Sequence, residues 1–307
     1  MMRVFDSSLT LYRKTVKRFK PAHVAIHWVM SHLVIPVLEA NKGFKTIADD
    51  PFWFRLELLT NRHELETTTH VQQMVKPGMT ILDIGAHVGY YARLFAELAG
   101  DNGQVIAFEP HPRTHAVLQQ NVGKFPNVTA MQRAVAEQEG TAELYDYLMM
   151  SASGSLHYDE SLADLQRAQI GEFDVAPRQS SEFEMQKFTV KTVPIDKCLM
   201  EMGIQQVDFV KMDIEGAEMG ALRSMKQTIA QSPNLALIME YNPQALKAFD
   251  YEPIQALSEV LGMGFTRMQA INLDGSLSDW TDDAATIQSQ TQAMLKNMGV
   301  INLLFTR

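Results

Sequence analysis

In the run Asp83-Ile84-Gly85-Ala86-His87-Val88-Gly89, a carboxylate precedes two glycines spaced four apart. Glycine lets a chain turn sharply and lets a ligand approach the backbone closely. Free N–H groups where such a turn opens a helix can receive a carboxylate or phosphate. Glu109, followed by Pro110, stands alone as an acid after the apolar run Val105-Ile106-Ala107-Phe108. A carboxylate there can accept both hydrogen bonds of a ribose diol, and its separation from Gly85 resembles that of dinucleotide folds. Two further acidic groups follow apolar runs: Lys211-Met212-Asp213-Ile214-Glu215-Gly216-Ala217-Glu218, and Leu237-Ile238-Met239-Glu240-Tyr241-Asn242-Pro243. Carboxylates can take a proton from a hydroxyl as it reacts. Gathered together, they can instead hold a hard divalent ion such as magnesium.

The elements that must position these residues follow from pattern. Residues 79–84, 104–108, 127–131, 207–212, 235–239, 265–271 and 300–305 are short apolar runs and predict β-strands. Residues 90–99 and about 217–229 predict helices, and Pro112 suits the first turn of another. Strands that alternate with helices imply a parallel sheet covered on both faces. In such sheets ligands bind beyond the carboxyl ends of the strands, where Gly85, Glu109, Asp213 and Glu240 all fall. The interval 137–195 breaks the rhythm. It holds two candidate strands, 142–148 and 183–193, around the small polar run Ser151-Ala152-Ser153-Gly154-Ser155, and is a candidate substrate loop or lid.

The chain has 307 residues, 46% hydrophobic and 21% charged, enough for a sizeable core. Its formal charge of -9 argues against an extended nucleic-acid-binding face. Residues 1–50 carry a net +4, so the remainder carries -13. Cys198 is the one cysteine, which excludes an intrachain disulfide and a cysteine-based zinc site and suits a reducing cytoplasm. No clear signal peptide is read. Residues 1–66 predict a helical cap, and residues 67–307 the main domain. Arg13, Lys14, Lys17, Arg18 and Lys20 precede an apolar stretch at 24–38. A cap burying Ile26, Trp28, Val29, Leu33 and Val34 is expected there, in preference to membrane attachment through residues 11–38.

A nicotinamide oxidoreductase uses a similar sheet, but its G-x-G-x-x-G fingerprint is not completed here. The spacing of Gly85 and Gly89 behind Asp83 favours S-adenosylmethionine as the ligand instead. The residues together resemble the FkbM-type methyltransferases. The resemblance runs from about Glu66 to Tyr241 and rests on Glu66-Thr67, Lys76-Pro77-Gly78, Asp83-Ile84-Gly85-Ala86, Phe108-Glu109-Pro110, the serine-rich loop, and the run from Val207 to Glu218. It implies a Rossmann-like class I methyltransferase: a seven-stranded, mostly parallel α/β sheet with the last strand antiparallel. It implies S-adenosylmethionine as donor and a sugar or natural-product hydroxyl as acceptor. The implied cofactor residues are Glu66, Thr67, Asp83, Gly85, Ala86, His87, Gly89, Glu109 and Pro110. The family usually carries Asn at the position of His87. Asp213 is the first candidate for base or metal ligand, with Glu240 and Glu215 as catalytic partners and Glu240 as a second ligand. A non-catalytic cofactor-binding protein remains an alternative that activity alone decides. His111 and His115, four apart, are expected on a solvated helix face rather than on a metal, and His157 as an ordinary loop histidine.

Overall fold

The computed structural model describes residues 20–146, 151, 154–157 and 185–307. Strands β1 (Thr80–Ile84), β2 (Gln104–Phe108) and β3 (Val128–Met131) form the first half of the main sheet. Strands β4 (Ala134–Val135), β5 (Gly140–Asp146) and β6 (Gln186–Val193) form a separate small sheet in the order β4-β6-β5. The main sheet continues with β7 (Phe209–Met212), β8 (Ala236–Tyr241), β9 (Arg267–Ile271), β10 (Leu277–Asp279) and β11 (Ile301–Thr306).

The main sheet runs β10-β9-β11-β8-β7-β1-β2-β3. Its neighbours from β3 to β8 are parallel, and β11 lies antiparallel between β8 and β9. The seven expected strands and the antiparallel last one are all present. An eighth, β10, pairs antiparallel with β9 through a turn in which Gly275 takes a φ of 81°. Residues of β1, β2, β7 and β8 are nearly all buried, as strands covered on both faces must be. Helix α5 (Tyr90–Ala99) lays Tyr91, Phe95 and Ala99 on one side of the sheet beside Ile81, Val105 and Phe209. On the other side, Ile84, Phe108, Met212, Met219 and Leu222 belong to the largest apolar cluster.

The helix expected at 217–229 is two helices, Glu218–Arg223 and Lys226–Gln231. Asp196 causes the break. Its carboxylate accepts from the backbone N–H of Gln227 (2.9 Å) and of Thr228 (2.8 Å), which starts a fresh helix. The two strands expected in the 137–195 interval are β5 and β6. Much of the loop between them lies outside the described residues.

The cap begins with one nearly continuous helix: α1 (Lys20–Val29), a π turn (Met30–Val34) and α2 (Ile35–Lys42). Helix α3 (Phe52–Leu59) follows, and its Phe52, Phe54, Leu58 and Leu59 join Ile35, Phe44 and Ile47 against Val88. The expected burial of the first helix is corrected here. Trp28, Val29 and Leu33 stay exposed, and within 24–42 only Ile35 and Glu39 are buried. The first helix is held to the rest of the cap by its later half, where Glu39 accepts hydrogen bonds from Thr46 and Arg55. Helix α4 (Leu65–Met74) crosses residue 66, so no break in structure separates cap from domain there.

Candidate active site

Register brings the acidic residues together. Ile84 pairs with Phe108 and with Met212, and Met212 pairs with Met239. The next residue of each strand is therefore in line at one edge: Glu109, Gly85, Asp213 and Glu240. Order reverses between β1 and β7, which opens a crevice at that point. A cavity of about 250 Å³ lies there.

The turn after β1 needs glycine at its first position. Gly85 has a φ of 89°, and a Cβ on it would stand 1.9 Å from the Asp213 carbonyl oxygen. Gly89, φ 90°, begins helix α5. Between them His87 also takes a left-handed φ of 50°, and its N–H donates to Glu109 Oε2 at 2.9 Å. The N–H of His111 donates to Glu109 Oε1, also at 2.9 Å. Each carboxylate oxygen thus keeps a free lone pair toward the cavity. Burial pushes Glu109 up to about 7, against the pull of those two N–H groups and the His111 ring.

Lys211 is buried in β7 and ends the row of charges. Its Nζ lies 3.0 Å from Asp213 Oδ2, 3.8 Å from Glu64 Oε2 and 4.7 Å from the Tyr91 ring centre. Burial would lower it, but Asp213, Glu64 and Asp83 outweigh burial and hold it above the usual lysine value. Asp213, Glu215 and Glu240 each offer an oxygen within 4.8 Å of the others. Burial, then the charges of Asp213 and Glu218, pushes Glu215 up to about 8. Burial, then Asp213 and Glu215, holds Glu240 well above the usual range. The turn is shaped by Glu218, whose Oε1 accepts from the N–H groups of Ile214 (3.1 Å) and Gly216 (3.2 Å).

Ser151 and Ser155 meet this edge. Ser151 donates its hydroxyl to Asp50 Oδ2 (2.6 Å) and its N–H to Asp50 Oδ1 (2.8 Å). Its oxygen lies 2.6 Å from His87 Nε2. Burial pushes His87 down to about 3, so the ring is neutral. With the serine proton spent on Asp50, His87 donates from Nε2. Ser155 donates to the Glu215 carbonyl at 3.3 Å, and Leu144 and Leu156 line the cavity.

Gly85, Ala86, His87, Glu109, Pro110, Asp213, Glu215 and Glu240 all line the cavity. Asp83, Gly89, Glu66 and Thr67 do not. Asp83 lies behind the turn, 1% exposed, where burial pushes it up to about 7. Thr67 accepts a hydrogen bond from Asn302 at 3.0 Å. Glu64 lines the cavity instead of Glu66 and accepts the Tyr91 hydroxyl at 2.8 Å. Glu64, Lys211, Asp50 and Ser151 are the site residues that sequence reasoning missed as individuals. Lys211 did carry a signal, as a charge inside an apolar strand. The expected solvated face at His111 and His115 is corrected: both are buried. His111 caps helix α6 (Pro112–Val122) and stands 3.1 Å from Asp146 Oδ2.

The model of the methyltransferase FkbM domain matches residues 83–266, more than half of the chain and all of the glycine turn, the acidic strand ends and the small sheet. The chain belongs to the FkbM methyltransferase family. It is an S-adenosylmethionine-dependent methyltransferase, and S-adenosylmethionine is its methyl donor. It is 28% identical over 204 residues to the 2-O-methyltransferase NoeI of Sinorhizobium fredii, covering 62% of this chain and 74% of that protein. It is 23% identical over 201 residues to the methyltransferase sdnD of Sordaria araneosa, covering 62% and 75%. Among solved structures, a TehB-like S-adenosylmethionine-dependent methyltransferase of Corynebacterium glutamicum aligns with a TM-score of 0.41 at 10% identity, covering 83% of this chain and 94% of that one.

Proposed function

We propose that this methyltransferase transfers its methyl group to a hydroxyl of a small molecule, on a sugar or a natural product. The observation that carries the reading is the row of carboxylates. Glu109 faces the cavity one strand away from the glycine turn; on the other side Asp213 and Glu215 follow the next strand and Glu240 ends the strand beyond it. The name of NoeI describes a 2-O-methyltransferase, which supports oxygen as the acceptor atom.

In this reading Glu109 accepts the ribose hydroxyls, and Gly85, Ala86 and the His87 backbone leave room for the amino-acid end. When bound, S-adenosylmethionine supplies a methyl group on a positive sulfur, which keeps the electron pair of the broken S–C bond. An aliphatic hydroxyl is a weak nucleophile at neutral pH and must lose its proton as the new O–C bond forms. Asp213 takes that proton. Glu240 and Glu215, protonated in this environment, donate hydrogen bonds that orient the acceptor. Two carboxyl groups whose surroundings separate their proton affinities divide such roles readily. Lys211 offsets the negative charge of the cluster and holds Asp213 in place.

The same three carboxylates suit a magnesium-type ion. Their donors are all hard oxygens, and Glu240 Oε2 is a buried oxygen without a hydrogen-bond partner among the described residues. Asp213, Glu215 and Glu240 would hold the ion, which would supply a Lewis acid for the developing alkoxide. The reading is tested by incubating the protein with methyl-labelled S-adenosylmethionine and a panel of hydroxyl, amine and thiol acceptors. Label on a hydroxyl compound is expected. Label on amines or thiols alone would sink the O-methylation reading.

A further inference from the structure

Among the described residues, eleven large hydrophobic side chains remain exposed, and five of them lie on one helix. These are Val24, Trp28, Val29, Leu33 and Val37, from 41% exposed at Val29 to 59% at Val37. Val24 and Trp28 are four apart, and so are Val29, Leu33 and Val37 in turn, which sets the five in two rows along the helix. The π turn at Met30–Val34 widens the helical repeat between them. No Asp, Glu, Lys or Arg occurs between Pro21 and Leu38. A contiguous uncharged stripe on an otherwise ordinary surface marks an interaction site.

The other side of the helix is fixed. Ile35 is wholly buried, and Glu39 bonds to Thr46 and Arg55 of the folded cap. Residues Val24–Lys42 are long and apolar enough to cross a bilayer by length and composition. The buried Glu39–Arg55 pair ties the C-terminal half to protein, so the helix is placed to lie on a surface rather than to span one.

Charge identifies the surface. Arg13, Lys14, Lys17, Arg18 and Lys20 immediately precede the stripe, in a chain whose residues 51–307 carry a net -13. Basic residues beside an apolar helical stripe are what an interfacial helix needs: apolar side chains enter the headgroup boundary and the cations meet anionic lipid. Trp28, stacked on His32 at the exposed surface, is a residue type favoured at that boundary. A second copy of the chain fits less well, because five side chains on one helix are narrow for the roughly 1,200–2,000 Å² of a stable interface. We propose that the exposed stripe of the N-terminal helix docks, in plane, on the surface of an anionic lipid bilayer.

The test is co-sedimentation of the full chain with vesicles of phosphatidylcholine alone and of phosphatidylcholine with phosphatidylglycerol. Pelleting with the anionic vesicles, weakened by salt, is expected. A Trp28→Glu/Leu33→Glu/Val37→Glu variant should lose at least about tenfold in partitioning, with unchanged melting temperature and S-adenosylhomocysteine binding. A Lys14→Gln/Lys17→Gln variant, which keeps the apolar residues 24–38, should also pellet less. Protein that stays in the supernatant with anionic vesicles overturns the proposal. So does a triple variant, shown folded, that pellets as well as the parent. A parent that sediments as a dimer while the triple variant sediments as a monomer, with neither pelleting, assigns the stripe to a second copy instead.

Discussion

Replacing Glu109 by Gln keeps the length and shape of the side chain and removes its charge. In the parent, both carboxylate oxygens are fixed by backbone N–H groups at 2.9 Å. In the variant, the amide NH2 must face one of those donors, so one N–H loses its acceptor. Charge-assisted hydrogen bonds contribute roughly 1.5–3 kcal/mol, which predicts about tenfold to a hundredfold weaker binding of S-adenosylhomocysteine. The parent carries a second signature. Burial pushes Glu109 up to about 7, so the form that accepts a diol with both oxygens is the minor one in mild acid. If the ligand binds the ionised form, affinity should rise roughly 30-fold between about pH 5.5 and about pH 8, near tenfold per unit on the acid side. The Glu109→Gln variant should lose this dependence. Calorimetry at several pH values reads both effects, with circular dichroism and melting temperature as controls of folding. Parent affinity that is flat across that range, or variant affinity within about threefold at about pH 8, would refute the ribose-binding role.

Asp213→Asn keeps the shape at the end of β7 and removes the proton acceptor. Turnover with an identified acceptor should fall about 10²–10⁴-fold while S-adenosylhomocysteine binding changes little, and turnover kept within about threefold removes Asp213 as the base. Burial raises Asp83 and Glu109 to about 7 and Glu215 to about 8, above their unfolded values. The folded state therefore holds these protons more tightly than the unfolded chain. Their stability contribution is fully present below the unfolded values near 4 and is lost as pH rises through about 7–8. The melting temperature of the ligand-free protein should fall over that window, and Glu215→Gln should flatten the fall; a steeper fall in the variant contradicts the assignment. Gly85→Ala sets a Cβ 1.9 Å from the Asp213 carbonyl oxygen at a φ of 89°. It should destabilise the protein by on the order of 3 kcal/mol or more and abolish cofactor binding, and a variant that melts and binds like the parent would mean that the turn is built differently.

The central strands were legible because strands buried on both faces read as unbroken apolar runs, and β1, β2, β7 and β8 are such runs. Short or half-wet strands lack that signal. Ala134–Val135 has two residues, and Leu277–Asp279 is exposed at two of its three. The break at Ser224 was invisible for a different reason. The intervening segment has helical composition, and the groups that split it come from Ile195 and Asp196, the latter 31 positions earlier than Gln227. The expected burial of the first cap helix failed through context. A short apolar stretch is usually core, yet here only its later half is buried.

The site divides along the same physical line. Glu109, Asp213 and Glu240 follow strands that pair in register, so knowing the strands is enough to bring them together. Glu64 and Ser151 reach the cavity from outside the sheet, and no local pattern announces them. The contrast is sharpest within a few residues. Glu64, left-handed at φ 42° just before helix α4, turns its carboxylate to Tyr91 and Lys211. Glu66, two residues on, has rotated about 200° round the helix and faces elsewhere. Asp50 and Ser151, 101 positions apart, then tie cap to loop across His87. A substrate entering this cavity therefore meets a wall built from three separate parts of the chain. Two of those parts, the cap and the serine loop, lie outside the sheet that binds the donor. In the O-methylation reading proposed above, acceptor choice belongs to them, because there the sheet edge supplies carboxylates that act on a hydroxyl whatever carries it.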